Sequence, residues 1–61
     1  MKLRNALKLH NEDEVTIKKT GEIMQIVETE VIPKMNTEKF TPRYVNIMLN
    51  DGNWYNHKEV R

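Results

Sequence analysis

The chain has 61 residues and no cysteine, and its ten Lys and Arg residues against nine Asp and Glu residues leave a formal net charge of +1. A chain this short forms one domain with a small core, because it buries only about 60% of its unfolded surface. The composition excludes disulfides, thiolate zinc sites and a strongly basic nucleic-acid surface, and it predicts a cytoplasmic protein.

A short helix is predicted at residues 2–8. Leu3, Ala6 and Leu7 lie at the spacing i, i+3 and i+4, which places them on one helical stripe. Because so short a helix is not stable alone, we expect Leu3 and Leu7 to pack against an open end of the structure that follows. The polar segment that starts at His10 then predicts a solvated turn, with a metal site of this histidine and the neighbouring carboxylates as the alternative.

The first predicted β-hairpin joins strands at residues 14–18 and 22–32 through Gly21. Apolar and polar residues alternate in the first strand, as in a strand with one solvated face. In the second strand the apolar residues Ile26 and Val27 are adjacent, so the alternation changes phase, which predicts a bulge near this pair. The ladder should stop at the proline that follows, because proline donates no hydrogen bond.

A second hairpin is predicted from strands at residues 43–49 and 53–57, after a loop at residues 33–43. The first of these strands places three apolar side chains on one face, Val45, Ile47 and Leu49. Residues 58–61 predict a 3₁₀ turn followed by a last short strand, in which Val60 points inward.

The connection of the second hairpin decides which aromatic side chain faces the core. A two-residue Asp51-Gly52 loop places Leu49 opposite Trp54. The same loop places Met48 opposite Tyr55. Residues directly opposite each other share a face of the sheet, so this pairing predicts that Trp54 joins the core.

Residues 13–27 read Asp-Glu-Val-Thr-Ile-Lys-Lys-Thr-Gly-Glu-Ile-Met-Gln-Ile-Val, and residues 44–55 read Tyr-Val-Asn-Ile-Met-Leu-Asn-Asp-Gly-Asn-Trp-Tyr, followed by Lys-Glu-Val at residues 58–60. These segments resemble the opening and the close of SH3-like barrels of the KOW, Tudor-type and bacterial SH3 kinds. The resemblance implies a mainly β fold, a single SH3-like barrel of about five antiparallel strands with a short N-terminal helix, spanning residues 1–61. The chain departs from the family pattern at residues 11–13, where many members have a Gly-Asp turn, and at Met24, where KOW motifs have glycine.

The resemblance also implies a source and a role. The chain is similar to short proteins of phages, prophages and mobile elements of Gram-positive bacteria. It is therefore expected in the cytoplasm of a bacterial host cell, as an accessory or regulatory protein that could inhibit a host protein.

Catalysis is not expected. The chain has no serine and no cysteine, so it lacks the common nucleophiles. His57 and Glu59 form a weak acid–base pair in the sequence, and an exposed histidine in a turn is the simpler interpretation. We therefore expect no enzyme activity, no cofactor and no bound metal.

A protein-interaction surface is the favoured hypothesis. Aromatic residues and methionine are enriched at interfaces, and the predicted strands place several of them opposite the core face. The expected partner is another protein or a second copy of the chain, in a homodimer. The predicted partner-binding residues are Tyr44, Met48, Tyr55 and His57, with Phe40 and Arg43 from the loop region.

Nucleic-acid binding is the alternative hypothesis. Small barrels bind nucleic acid through loop cations and strand aromatics such as Tyr55 or Phe40. Acidic residues are interleaved with the cations, which favours an ordinary solvated surface instead. The predicted contacts in this alternative are Lys18, Lys19, Lys34, Lys39 and Lys58.

Overall fold

A computed structural model describes residues 1–34 and 41–61 of the chain. Its elements, in chain order, are helix α1 (Leu3–Ala6), strands β1 (Glu14–Thr16), β2 (Ile23–Pro33), β3 (Pro42–Leu49) and β4 (Trp54–Asn56), and a 3₁₀ helix (His57–Glu59). The four strands form one antiparallel sheet in the order β1-β2-β3-β4.

The predicted mainly β, antiparallel fold with a short N-terminal helix is confirmed. The sheet has four strands in the described part of the chain and is open, so the finer prediction of a closed five-stranded barrel is not established by strand pairing. Pro42 already belongs to β3, and the backbone N–H of Lys34 donates to the carbonyl of Thr41 at 2.7 Å. The ladder therefore runs one pair beyond the proline where it was predicted to stop.

The bulge predicted in β2 is confirmed. The register shifts between Ile26, which lies opposite Leu49, and Glu28, which lies opposite Met48. The extra residue, Val27, is 50% exposed. The bulge divides β2 between two partners, because residues 23–25 pair with β1 while the rest of the strand pairs with β3.

The core lies on one face of the sheet and is closed by the N-terminal segment. Its buried members are Ala6, Val15, Ile17, Ile26, Val45, Ile47, Leu49 and Val60. Leu3 and Leu9 pack against them, whereas Leu7 is 42% exposed, so the prediction that Leu7 packs against the sheet is wrong. Ala6, the last residue of α1, occupies the buried position instead.

The C-terminal residues return to the first strand. Val60 forms an antiparallel bridge with Ile17 and is fully buried, as the sequence predicted for its side chain. Beside this bridge, Thr16 and Arg61 exchange two backbone hydrogen bonds, each of 2.9 Å. A single bridge thus connects the residue after the 3₁₀ helix, Val60, with the residue after β1, Ile17.

Glu12 adopts a left-handed conformation, with φ of 78°, and its N–H donates to the carbonyl of Ile26 at 2.7 Å. A side chain in this region costs roughly 1–2 kcal/mol, a cost that glycine does not carry. We expect Glu12→Gly to stabilise the fold by about 1 kcal/mol, which raises Tm by roughly 4–8 °C in a domain of this size. Thermal unfolding followed by circular dichroism measures the change.

The matched control is Glu14→Gly, an exposed glutamate with extended backbone in β1. Because glycine weakens a strand, this second change should lower Tm. A Tm for Glu12→Gly at or below that of the unmodified chain would contradict the prediction.

Candidate interaction surfaces

The turn between β3 and β4 has three residues, so the predicted two-residue loop is wrong. Leu49 donates its N–H to the carbonyl of Asn53 at 3.1 Å, and its own carbonyl accepts from Gly52 at 2.9 Å. Gly52 has a φ of 83°, the left-handed conformation that ends a three-residue hairpin loop. The additional loop residue shifts the register of β4 by one position.

This shift exchanges the faces of the two aromatic residues in β4. Trp54 lies opposite Met48, and Tyr55 lies opposite the buried Ile47. Trp54 therefore points away from the core and is 42% exposed, which corrects the prediction that it is a core residue. Tyr55 packs against the core, so the expectation that it shares the face of Met48 is wrong.

The face of β2, β3 and β4 opposite the core, called the outer face below, consists of cross-strand rows. The central row contains Glu28, Met48 and Trp54 on three neighbouring strands. The other positions are Glu30, Ile32, Tyr44, Asn46 and Asn56. Two predicted partner-binding residues, Tyr44 and Met48, thus lie on the outer face, and Trp54 is a member that the sequence analysis missed.

The structure describes two of the four contact residues predicted near the β2–β3 connection. Arg43 is exposed, and its guanidinium carbon lies 6.0 Å from the centroid of the Tyr44 ring. Lys34 is exposed at the end of β2. Lys39 and Phe40 lie outside the described residues.

His57 is buried, contrary to the exposed histidine that the sequence analysis expected. Only 3% of the residue is exposed, and its Nδ1 accepts a hydrogen bond from the N–H of Val45 at 3.2 Å. β4 ends at Asn56. The imidazole of His57 therefore accepts the hydrogen bond from Val45 that a backbone carbonyl would accept if β4 continued. Burial lowers the pKa of His57, and the positive charges of Lys58, the Met1 amino group and Lys18 lower it further.

The 3₁₀ helix is fixed by reciprocal hydrogen bonds at its start. The side chain of Asn56 accepts from the N–H of Lys58 at 2.9 Å, and Glu59 Oε2 accepts from the N–H of Asn56 at 3.3 Å. His57 and Glu59 are therefore each bound to a different backbone N–H. In this geometry each side chain accepts a hydrogen bond from a backbone N–H.

Tyr55 and Asp51 form a short hydrogen bond across the turn. The phenol hydroxyl donates to Asp51 Oδ2 at 2.6 Å, and Asp51 Oδ1 accepts from the N–H of Asn53 at 2.9 Å. The hydroxyl of Tyr55, followed by the Asn53 N–H, holds the pKa of Asp51 below its usual value. The same bond raises the pKa of Tyr55, because it stabilises the protonated phenol.

A cleft of about 570 Å³ lies between the turn after β1 and the 3₁₀ helix. It gathers three of the lysines predicted as nucleic-acid contacts, together with Tyr55. Its lining residues are Ile17, Lys18, Lys19, Thr20, Tyr55, Lys58 and Glu59.

The segment at His10 forms the predicted turn. The backbone N–H of His10 donates to Asp13 Oδ2 at 2.8 Å, and the Nδ1 atom of the His10 imidazole lies 3.9 Å from the same oxygen. Within residues 1–34 and 41–61, no three His, Asp or Glu side chains gather in a group that could hold a metal ion. None of the helices in those two ranges has the length and apolar character needed to cross a membrane.

Comparison of the chain with protein-family models, curated proteins and solved structures found no match. Its function must therefore be inferred from the placement of its own residues. Two surfaces gather chemically distinctive side chains: the outer face and the lysine cleft.

The buried His57 predicts a pH-dependent stability. Its pKa in the folded chain is below that of the unfolded chain, so lowering the pH through about 6.5 protonates only the unfolded state. Stability should be complete above this pH and should fall toward the lower, folded pKa, with a slope of at most about 1.4 kcal/mol per pH unit. Urea unfolding between neutral and mildly acidic pH measures this slope.

In His57→Asn, the amide oxygen can still accept from Val45 but does not titrate, so the slope over this range should become smaller. The control His10→Asn removes an exposed imidazole and leaves His57 in place, so the part of the slope that comes from His57 should persist. An NMR titration of the unmodified chain provides a second measurement, in which the His57 ring protons should titrate below the usual range. An unmodified chain whose stability does not change over this range would contradict the prediction.

The short hydrogen bond in the turn predicts a change in acidity. Tyr55→Phe removes the hydroxyl and should raise the pKa of Asp51 toward its ordinary value, as measured by the carboxyl carbon shift in an NMR titration. Tyr44→Phe removes a hydroxyl from the outer face and serves as the control. An Asp51 titration that is the same in both variants would show that the bond to Tyr55 does not control this group.

Proposed function

We propose that the chain is a non-enzymatic protein-interaction module on an SH3-like barrel framework, and that its outer face binds a basic, apolar segment of a different protein. The observation that carries the proposal is the central row of the outer face, in which Glu28, Met48 and Trp54 lie side by side. A large exposed aromatic side chain, a thioether and a carboxylate are thus adjacent on one surface.

The SH3-like framework is supported by the path of the chain. β2 bends at its bulge and serves two partners, as a strand of a small barrel must. After the 3₁₀ helix, Val60 and Arg61 return beside β1 through a bridge and paired backbone hydrogen bonds. In an SH3-like barrel the fifth strand makes this return, and in this chain one bridge between Ile17 and Val60 lies at the corresponding place in the path.

The outer face combines apolar contact area with negative charge. Trp54 has 42% of its surface exposed, and Met48 beside it is half-buried with an adaptable side chain. Glu28 and Glu30 are exposed along the same face. A complementary partner therefore offers an apolar anchor for Trp54 and Met48, with Lys or Arg side chains toward the two glutamates.

Charge also favours a different protein over a second copy as the partner. A symmetric pair of identical chains uses the same patch on both sides. Two outer faces would then bring the carboxylates of Glu28 and Glu30 toward carboxylates of the other copy, an arrangement that like charges disfavour. The homodimer expected as an alternative is therefore not the proposed state of this face.

The remaining expectations about the biology of the chain stay predictions. They are its origin in a phage or mobile element, a regulatory role that includes inhibition of a host protein, its cytoplasmic location and its lack of enzyme activity.

Selection of peptides from a random display library on the full chain tests this proposal. The expected consensus contains an apolar anchor flanked by Lys or Arg. Trp54→Ala should weaken binding of a selected peptide by about 30-fold, since an interface tryptophan contributes roughly 2 kcal/mol or more. Isothermal titration calorimetry measures the affinities.

The matched control is Leu7→Ala, because Leu7 has the same exposed fraction as Trp54, 42%, but follows α1 and lies outside the outer face. This change should leave affinity unaltered. The double change Glu28→Lys and Glu30→Lys should shift a new selection toward acidic peptides. Selected peptides without a charge preference, or equal binding to Trp54→Ala, would exclude the outer face as the site.

A further inference from the structure

We infer that the lysine cleft is a second binding site, for the phosphates and a base of a single-stranded nucleic acid, separate from the outer face. The inference starts from geometry. Two elements that are distant in sequence, the turn after β1 and the 3₁₀ helix, bring Lys18, Lys19 and Lys58 around one concave surface. The volume of the cleft, about 570 Å³, lies within the roughly 300–1,000 Å³ of small-ligand clefts.

The charges that line the cleft favour an anion. Three lysines and one carboxylate line the cleft, and that carboxylate, Glu59, accepts a hydrogen bond from the N–H of Asn56. The lowered pKa of the neighbouring His57 has the charges of Lys58 and Lys18 among its causes, which is consistent with a positive potential at this end of the sheet.

Two further carboxylates lie near the Tyr55 side of the cleft. Asp51 accepts the Tyr55 hydroxyl and the Asn53 N–H, which favour its ionised form, so its negative charge disfavours a phosphate on this side. Glu22 acts on Tyr55 only as a minor cause of its raised pKa. The lysine side of the cleft therefore determines where a phosphate is bound.

Tyr55 supplies the element that distinguishes nucleic acid from other anions. Its ring packs against the core, and its hydroxyl is held by Asp51, so the side chain is fixed at both ends. An aromatic ring in such a cleft can stack on a base, an interaction of about 1–3 kcal/mol. A peptide carboxylate would use the lysines alone, whereas a nucleotide uses the lysines and the ring.

Fluorescence anisotropy with a labelled deoxythymidine oligomer of about 12 nucleotides tests the inference, since this length is within the usual range of site sizes. Titrations of the full chain at roughly 50 to 200 mM salt should show a slope of log K against log salt near −2, from three phosphate contacts at about −0.7 each. Lys18→Gln and Lys58→Gln should each weaken binding and reduce the slope by about 0.7.

Changes at Tyr55 separate stacking from the hydroxyl. Tyr55→Phe keeps the ring and should retain most of the affinity, whereas Tyr55→Leu should lower it about tenfold or more. Circular dichroism of each variant checks whether it is folded. The two lysine variants change exposed side chains only, so the inference stays testable even where Tyr55→Leu does not fold.

Two controls separate this site from the rest of the molecule. Lys8→Gln removes an exposed lysine outside the cleft, and Trp54→Ala changes the outer face; both should leave oligonucleotide affinity unaltered. The failure of the protein-interaction proposal would thus not affect this result. The inference is overturned by any of three outcomes: no binding at the lowest salt, equal binding by the lysine variants, or equal competition by an acidic peptide.

Discussion

The hydrogen bond from the Val45 N–H to His57 Nδ1 is the contact on which the rest of the architecture depends. It satisfies a buried backbone donor of β3 at the point where β4 has ended, so the chain can leave the sheet without an unpaired N–H. The 3₁₀ helix that begins at His57 then directs Val60 into the core beside Ile17. A side-chain nitrogen thus replaces one backbone acceptor of the sheet, and this replacement lets the chain turn back toward β1.

The second determinant is the length of one turn. With three loop residues, Trp54 faces solvent beside Met48, and Tyr55 faces the cleft. With two loop residues the assignments would be reversed, because side chains alternate between faces with a period of two. The division of the surface into an apolar, acidic outer face and a basic cleft therefore follows from a single residue of register.

Local pattern predicted much of the fold, because strand alternation and the phase change at Ile26 and Val27 are properties of short segments. The burial of Val45 and its neighbours on β3 followed from the same alternation. The errors concern features that depend on contacts distant in sequence. Asn-Asp-Gly is compatible with loops of two or three residues, and only the pairing of β4 decides between them. The burial of His57 requires Val45, twelve residues away, and no local signal indicates it.

The bulge in β2 has a consequence for behaviour at high concentration. Past Ile26, β2 pairs only with β3 among the described residues, and no described strand lies along its other backbone edge. An open edge can pair with a strand of another chain, which leads to aggregation. Charged side chains and proline on the edge are the usual protection against this pairing. Glu28, Glu30 and Pro33 are placed along this segment. The carboxylates proposed to select a partner would thus also keep the chain from assembling with itself.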